Sequence, residues 1–394
     1  MPTAADVILL LLALPVLLAT GYLACLTLLS ARGTPPAPDE STVFDVIVPA
    51  HNEAAGIAAT VASLRALSYP AERFRILVIA DNCTDDTAER ARAAGATVLE
   101  RRHATERGKG YALAHAYAAS AAHGQASAVV VVDADTSVSP NLLTAFSARF
   151  VAGAEAVQAE YGVRNANASW RTRLMVIALT MFHTVRSLGR ERLGLSCGLR
   201  GNGMGFTAAL LQRVPPRAFS IVEDVEYGIA LGLAGTRVVH VPEAEVRGDM
   251  PASAAASRSQ RERWEGGRLA LIREHVPRLV AAAREAGRVP LDLAADLLVP
   301  PLTTLGAITG AGLLAALVAL SRGAAGGMAV IPWMLATAAL AAYVVRGAVL
   351  SGTGPRAVLD LLWAPVFAVW KLTLLLKPTR RSGEWVRTTR SDEI

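Results

Sequence analysis

Two aspartates, Asp133 and Asp135, follow a run of four valines, Val129–Val132. On an extended chain their side chains lie on the same side. Carboxylates that close repel, and each makes the other harder to ionise. A divalent cation removes that cost. Hard oxygen ligands suit Mg2+ or Mn2+, ions that usually sit between protein carboxylates and substrate phosphates. The pair therefore points to a metal–diphosphate site, against the plainer alternative of a solvated acidic turn.

Chemistry of this kind needs a rigid frame. The chain alternates "FDVIVP", a helical pattern over Glu53–Leu67, "RILVIA", a helix over Asp85–Ala94, "ATVLE", an alanine-rich helix over Lys109–His123, and "SAVVVV". Strands that are continuously apolar and alternate with helices predict an α/β fold. They imply a mostly parallel, Rossmann-like sheet with helices on both faces. Ligands of such sheets bind beyond the carboxyl ends of the strands. Three polar clusters fall there: "HNE", "DNCTDD" and "DAD".

These clusters belong to an ordered series: "VIVPAHNE", "IADNCTDDT", "RGKGYAL", "DAD", "GNGMGF", "VEDVEYG" and "QRERW". In that order they resemble the membrane-embedded, inverting glycosyltransferases of family 2, which include cellulose, chitin, hyaluronan and poly-N-acetylglucosamine synthases. The resemblance runs from about Asp45 to Trp264 and implies a GT-A-type catalytic domain with transmembrane and interfacial helices. It implies that Asp81 contacts the nucleotide base and ribose, that Glu53 lines the same pocket, and that Lys109 sits near the base or the phosphates. Asp133 then holds the nucleotide, and Asp135 ligates the bridging Mg2+ or Mn2+. Asp224 becomes the base that takes the acceptor hydroxyl's proton, with Glu223 in support. Arg263 is placed near the diphosphate. Gln260 and Trp264 are placed at the acceptor, Trp264 offering a flat face to a sugar ring. Gly203 lies in a glycine-rich loop beside the acceptor. More loosely, "SGEWVRTTR" resembles a mobile loop covering bound nucleotide, which singles out Trp385, Arg387, Thr388 and Arg390. A basic juxtamembrane tail explains that stretch equally well.

Composition bounds the rest. Of 394 residues, 53% are hydrophobic, more than an ordinary soluble protein carries. Val7–Leu29, Leu297–Leu320 and Gly323–Val345 are uncharged and long enough to cross a bilayer. The leader before the first has an acid and no Lys or Arg, which favours an uncleaved anchor over a signal peptide. The expected organisation is an anchor over residues 1–30, a linker over 31–42, and a cytosolic catalytic domain over 43–275. An interfacial helix region over 276–296, two transmembrane helices over 297–350, and an interfacial segment with a basic tail over 351–394 complete it. The net charge of +6 fits arginines gathered at a cytoplasmic membrane face. No nucleic-acid-binding pattern accompanies it. Three scattered cysteines fit a reducing compartment. The expected partners are a nucleotide-sugar donor, most simply a UDP-sugar, a glycan or lipid-linked acceptor, and membrane lipids. The expected location is the plasma membrane, and the expected activity is processive transfer. Single addition to a lipid acceptor, or a catalytically silent nucleotide-sugar-binding protein, are the alternatives.

Overall fold

The computed structural model describes residues 2–220, 222–249 and 268–363. The chain divides into two compact units.

The larger unit, described over residues 32–172, 194–220, 222–249 and 268–294, is built on an eight-stranded sheet. Its strands are β1 (Phe44–Ala50), β2 (Phe74–Asp81), β3 (Thr97–Arg101), β4 (Ala128–Val131), β5 (Ser137–Val138), β6 (Ala156–Val163), β7 (Met204–Thr207) and β8 (Val238–Gly248), in the order β3-β2-β1-β4-β7-β6-β8-β5. The first four strands pair in parallel, as the alternating sequence predicts. The sheet then turns mixed: β7 runs antiparallel to both β4 and β6, and β6 pairs in parallel with β8. The βα pattern covers only β1 to β4, so β5, β6, β7 and β8 are not foreseen in the sequence.

The central strands are buried on both faces. Phe44, Val46 and Val48 of β1 pack into one apolar core with Ile57, Val61 and Leu64 of the helix Ile57–Arg65. Ile47 points the other way, joining Leu77, Ile79, Val129 and Val131 against Leu113 and Ala116 of the helix Lys109–His123. Each fully buried aliphatic side chain stabilises by about 1.5–3 kcal/mol, and the two layers fix where β1, β2 and β4 end. Those ends lie side by side, so the three polar clusters share one rim.

The smaller unit, described over residues 2–31, 173–193 and 295–363, contains three helices long and apolar enough to cross a membrane: Ala4–Leu28, Leu302–Ser321 and Gly327–Leu350. The first opens on a capping box, in which the Asp6 backbone N–H donates to Thr3 Oγ1 and the Thr3 N–H donates to the Asp6 carboxylate. Leu11, Leu14 and Leu18 are exposed along it, as lipid-facing residues are. Residues 173–193, which lie inside the stretch drawn from the sequence as catalytic, pack in this unit instead. There Arg186 and Arg190 both pair with Asp296, and Arg190 donates to the Tyr22 hydroxyl. Thr180–Val185 forms a π-helical turn, and Tyr343 donates to the Met181 carbonyl within it. Gln260, Arg263 and Trp264, and Trp385, Arg387, Thr388 and Arg390, lie outside the described residues.

Candidate active site

The sequence of the helix Lys109–His123 begins with its only lysine, directly after Gly108, whose φ of 127° suits glycine. That start brings Lys109 to the end of β4. Its Nζ donates to Asp133 Oδ1 at 2.6 Å and to the Gly201 carbonyl at 2.5 Å, and it lies 3.8 Å from Glu223 Oε1. Only 18% of the lysine side chain is exposed. Burial works against its charge, but the carboxylates of Asp133 and Glu223 overcome burial and hold its pKa above that of an ordinary lysine.

Around this cation the acids are poorly solvated. Burial pushes the Asp133 carboxyl up; Lys109 opposes the shift and Asp135 adds to it. Glu223 and Asp224 open the helix Glu223–Leu233, where the positive end of the helix dipole favours carboxylates. Burial nevertheless raises both. Glu223 is pushed up to about 7, with Lys109 opposing and Asp224 adding, and Asp224 rises against the pull of Lys109. A carboxyl poised near neutral pH suits proton transfer.

The glycine loop closes the space between these groups. Gly201 has φ 76°, and a Cβ there would stand 3.2 Å from Asp224 Oδ2. Gly203, expected beside the acceptor, is buried, and a Cβ on it would meet Val246 at 2.8 Å. Gly203 is thus closely packed, and Gly201 borders Asp224.

Asp81 ends β2 on the same rim but is fully buried. Its carboxylate accepts from Arg101 at 2.8 Å and from Asn82 at 3.1 Å. Arg101 also donates to the carbonyl and carboxylate of Glu106, and it lies over the Tyr111 ring, which stacks on Phe219 at 4.4 Å. Asp81 is thus already paired with Arg101, a residue the motif series does not single out. Glu53 follows β1. Its backbone N–H donates to Thr87 Oγ1, and its side chain is half-buried.

Tyr161 on β6 was also missed. Its phenol is pushed up by burial, with Asp133 and Asp135 adding, and it hydrogen-bonds Asn202. The only hint in the sequence is "VQAEY", a strand-like run carrying polar residues at core positions.

Asp133 and Asp135 fit a divalent cation. Burial has left Asp133 reluctant to ionise, which a cation relieves. Among the described residues no group of three or more His, Cys, Asp and Glu could hold a metal. An ion held by one or two carboxylates and completed by phosphate oxygens and water is the pattern of Mg2+.

The family model described as glycosyltransferase like family 2 matches residues 41–267. The chain belongs to this family. Among curated proteins it is 25% identical over 249 residues to a probable glucomannan 4-beta-mannosyltransferase of Arabidopsis thaliana, covering 60% of this chain and 45% of that one. It is 25% identical over 267 residues to a glucomannan 4-beta-mannosyltransferase of Oryza sativa subsp. japonica, covering 62% and 50%. The chain thus spans about half the length of the curated relatives it matches. Among solved structures, a mannosyltransferase of Pyrobaculum calidifontis in complex with GDP-Man and Mn2+ superposes with a TM-score of 0.56 at 19% identity, over 89% of this chain and 99% of that one. The glycosyltransferase has the GT-A fold, and its three apolar helices are compatible with a membrane protein.

Proposed function

We propose that this protein is a membrane-bound, inverting, metal-dependent glycosyltransferase. It moves a hexosyl group from a nucleoside-diphosphate sugar to a glycan or lipid-linked acceptor. The observation that carries the reading is the convergence of Asp133, Lys109, Glu223 and Asp224 at the strand ends of the sheet. In inverting transfer the acceptor oxygen attacks the anomeric carbon while a carboxylate takes its proton. Asp224 is assigned that role, with Glu223 beside it. Asp133 and Asp135 are assigned to hold Mg2+ or Mn2+, which supplies charge stabilisation at the leaving diphosphate. Lys109 adds a fixed positive charge to the same region. Glu53 and Asp81 are assigned to the nucleoside side, and Gln260, Arg263 and Trp264 to the acceptor and diphosphate. Trp385, Arg387, Thr388 and Arg390 are assigned to a cover over the nucleotide.

The names of the curated relatives, and the GDP-Man of the Pyrobaculum structure, favour mannose from GDP-mannose as the first donor to test beside the UDP-sugars. They also favour repeated addition to a glycan. The proposed site of synthesis is the cytosolic face of the plasma membrane. The test is release of nucleoside diphosphate by the full chain in detergent, with GDP-mannose, UDP-glucose and UDP-N-acetylglucosamine, each with Mn2+ or Mg2+. Metal-dependent release from one donor, lost in Asp224→Asn, supports the reading. Release from none, with a folded protein and added oligosaccharide acceptors, sinks it.

A further inference from the structure

The acidic turn from Asp133 to Thr136 is closed by a side chain from another part of the chain. Asn202 Oδ1 accepts the Asp133 backbone N–H at 3.1 Å, and Asn202 Nδ2 donates to Thr136 Oγ1 at 2.8 Å. One carboxamide thus spans both ends of the turn that carries Asp135. Within the turn the Thr136 N–H donates to the Asp133 carbonyl, and Thr60 Oγ1 donates to the Ala134 carbonyl. Asn202 and Thr136 are each 1% exposed, so water does not substitute freely for these bonds.

Asn202 is itself held. Gln158 on β6, equally buried, accepts the Arg200 N–H at 2.9 Å and donates through Nε2 to the Asn202 carbonyl at 2.7 Å. The Gly203 N–H donates to the Val131 carbonyl, the last residue of β4. Between these anchors, Gly201 gives its carbonyl to Lys109 and lies against Asp224. The loop therefore touches the metal-side turn through Asn202 and the base-side acid through Gly201, and Gln158 fixes both to β6.

We propose that Asn202 is a positioning residue, supported by Gln158, which sets the acidic turn for the divalent cation and ties its place to that of Asp224. The inference rests on the metal assignment of the proposed function. Its physical basis is pre-organisation: a cation site held by few protein ligands gains affinity when their backbone is fixed beforehand.

Mn2+ alone is the probe, titrated into the full-length protein in detergent and read as free hexaaqua Mn2+ by electron paramagnetic resonance. Asn202→Ala is expected to weaken Mn2+ binding about 10-fold or more, in the range that supporting partners of metal ligands typically contribute. Thr136→Val, nearly isosteric, removes one of the two bonds and covers the case in which the first variant folds poorly. It is expected to weaken binding by a smaller factor. Thr136 Oγ1 also makes a long 3.5 Å bond to Asp135 that only Thr136→Val removes, so the double variant is expected to fall close to Asn202→Ala and well short of the sum of the two changes. Mn2+ affinity within 2-fold of wild type in folded Thr136→Val and Asn202→Ala overturns the proposal. So does full additivity of the two changes. Wild-type protein that binds no Mn2+ overturns the metal assignment and this inference together. Wild-type protein that binds Mn2+ but transfers no sugar fails the functional reading alone.

Discussion

Replacing Lys109 by Met isolates the central electrostatic feature of the site. The change keeps most of the aliphatic stem and deletes the charge that faces Asp133 at 2.6 Å and Glu223 at 3.8 Å. Three acids, Asp133, Glu223 and Asp224, then share a poorly solvated space without their lysine. Breaking a buried ion pair by removing one partner costs about 3–5 kcal/mol. The lysine is 18% exposed, so solvent screening trims that figure only modestly. For a unit of this size, about 1 kcal/mol moves the melting temperature by about 2–4 °C. The expected drop for the catalytic unit is therefore about 6–20 °C, read by thermal melting in detergent at pH 8. A divalent cation at Asp133 and Asp135 restores positive charge where the lysine left. Saturating Mn2+ should thus recover a larger part of the loss in Lys109→Met than it adds to wild type. Lys109→Arg is the control for charge without the same reach. A melting temperature for Lys109→Met within 2 °C of wild type, with no extra response to Mn2+, would refute this account of the cluster.

Three shorter predictions follow from the same geometry. Asp135→Ala should abolish metal-dependent release of nucleoside diphosphate and weaken nucleotide binding at least 10-fold, measured by calorimetry with Mn2+ present. Gly201→Ala should cost about 1–2 kcal/mol through its φ of 76° and should press on Asp224, lowering turnover more than donor affinity; steady-state kinetics separates the two. His240 is a pH-linked stabiliser. Burial disfavours its charge, but hydrogen bonds with Cys197 and Glu160 overcome burial and raise its pKa to about 9. A folded pKa above the unfolded value gives stability that is complete below about pH 6.5 and is lost as the pH rises through about 9. Melting curves from pH 6 to 10 should show that loss, up to roughly 3 kcal/mol, and Glu160→Gln should flatten it.

The first half of the sheet was legible because β1, β2 and β4 are largely buried on both faces and the helices between the strands carry local signals. The valine run, the helix that begins at Lys109, and the three polar clusters after β1, β2 and β4 all stand where local pattern puts them. The second half was not legible, because β7 pairs antiparallel with strands that lie far from it in sequence. Nothing near Met204 announces β4 as its neighbour. Residues 173–193 escaped for a related reason. They hold charged side chains at ordinary helical spacing, and contacts far along the chain, of Arg186 and Arg190 with Asp296, Arg190 with Tyr22 and Met181 with Tyr343, show which unit they belong to.

The acids themselves were readable because a carboxylate at the end of a buried strand violates the local trend and needs a chemical reason. Their supports obey the trend and so stay silent. Asn202 and Gln158 read as ordinary polar residues in a loop and a strand, and Arg101 as one more surface arginine. Each becomes meaningful only when a contact far along the chain is known: Asn202 with Asp133, Gln158 with Arg200, Arg101 with Asp81. Arg101 makes the consequence concrete. The proposed function assigns Asp81 to the nucleoside side, and the fold adds a guanidinium already bound to it and mostly buried. If Asp81 takes the nucleoside as proposed, the nucleotide meets a buried carboxylate whose present partner is Arg101, and the two compete for it. Glu106 holds the other end of that guanidinium, so in that competition Arg101 keeps one charged partner whichever group takes Asp81.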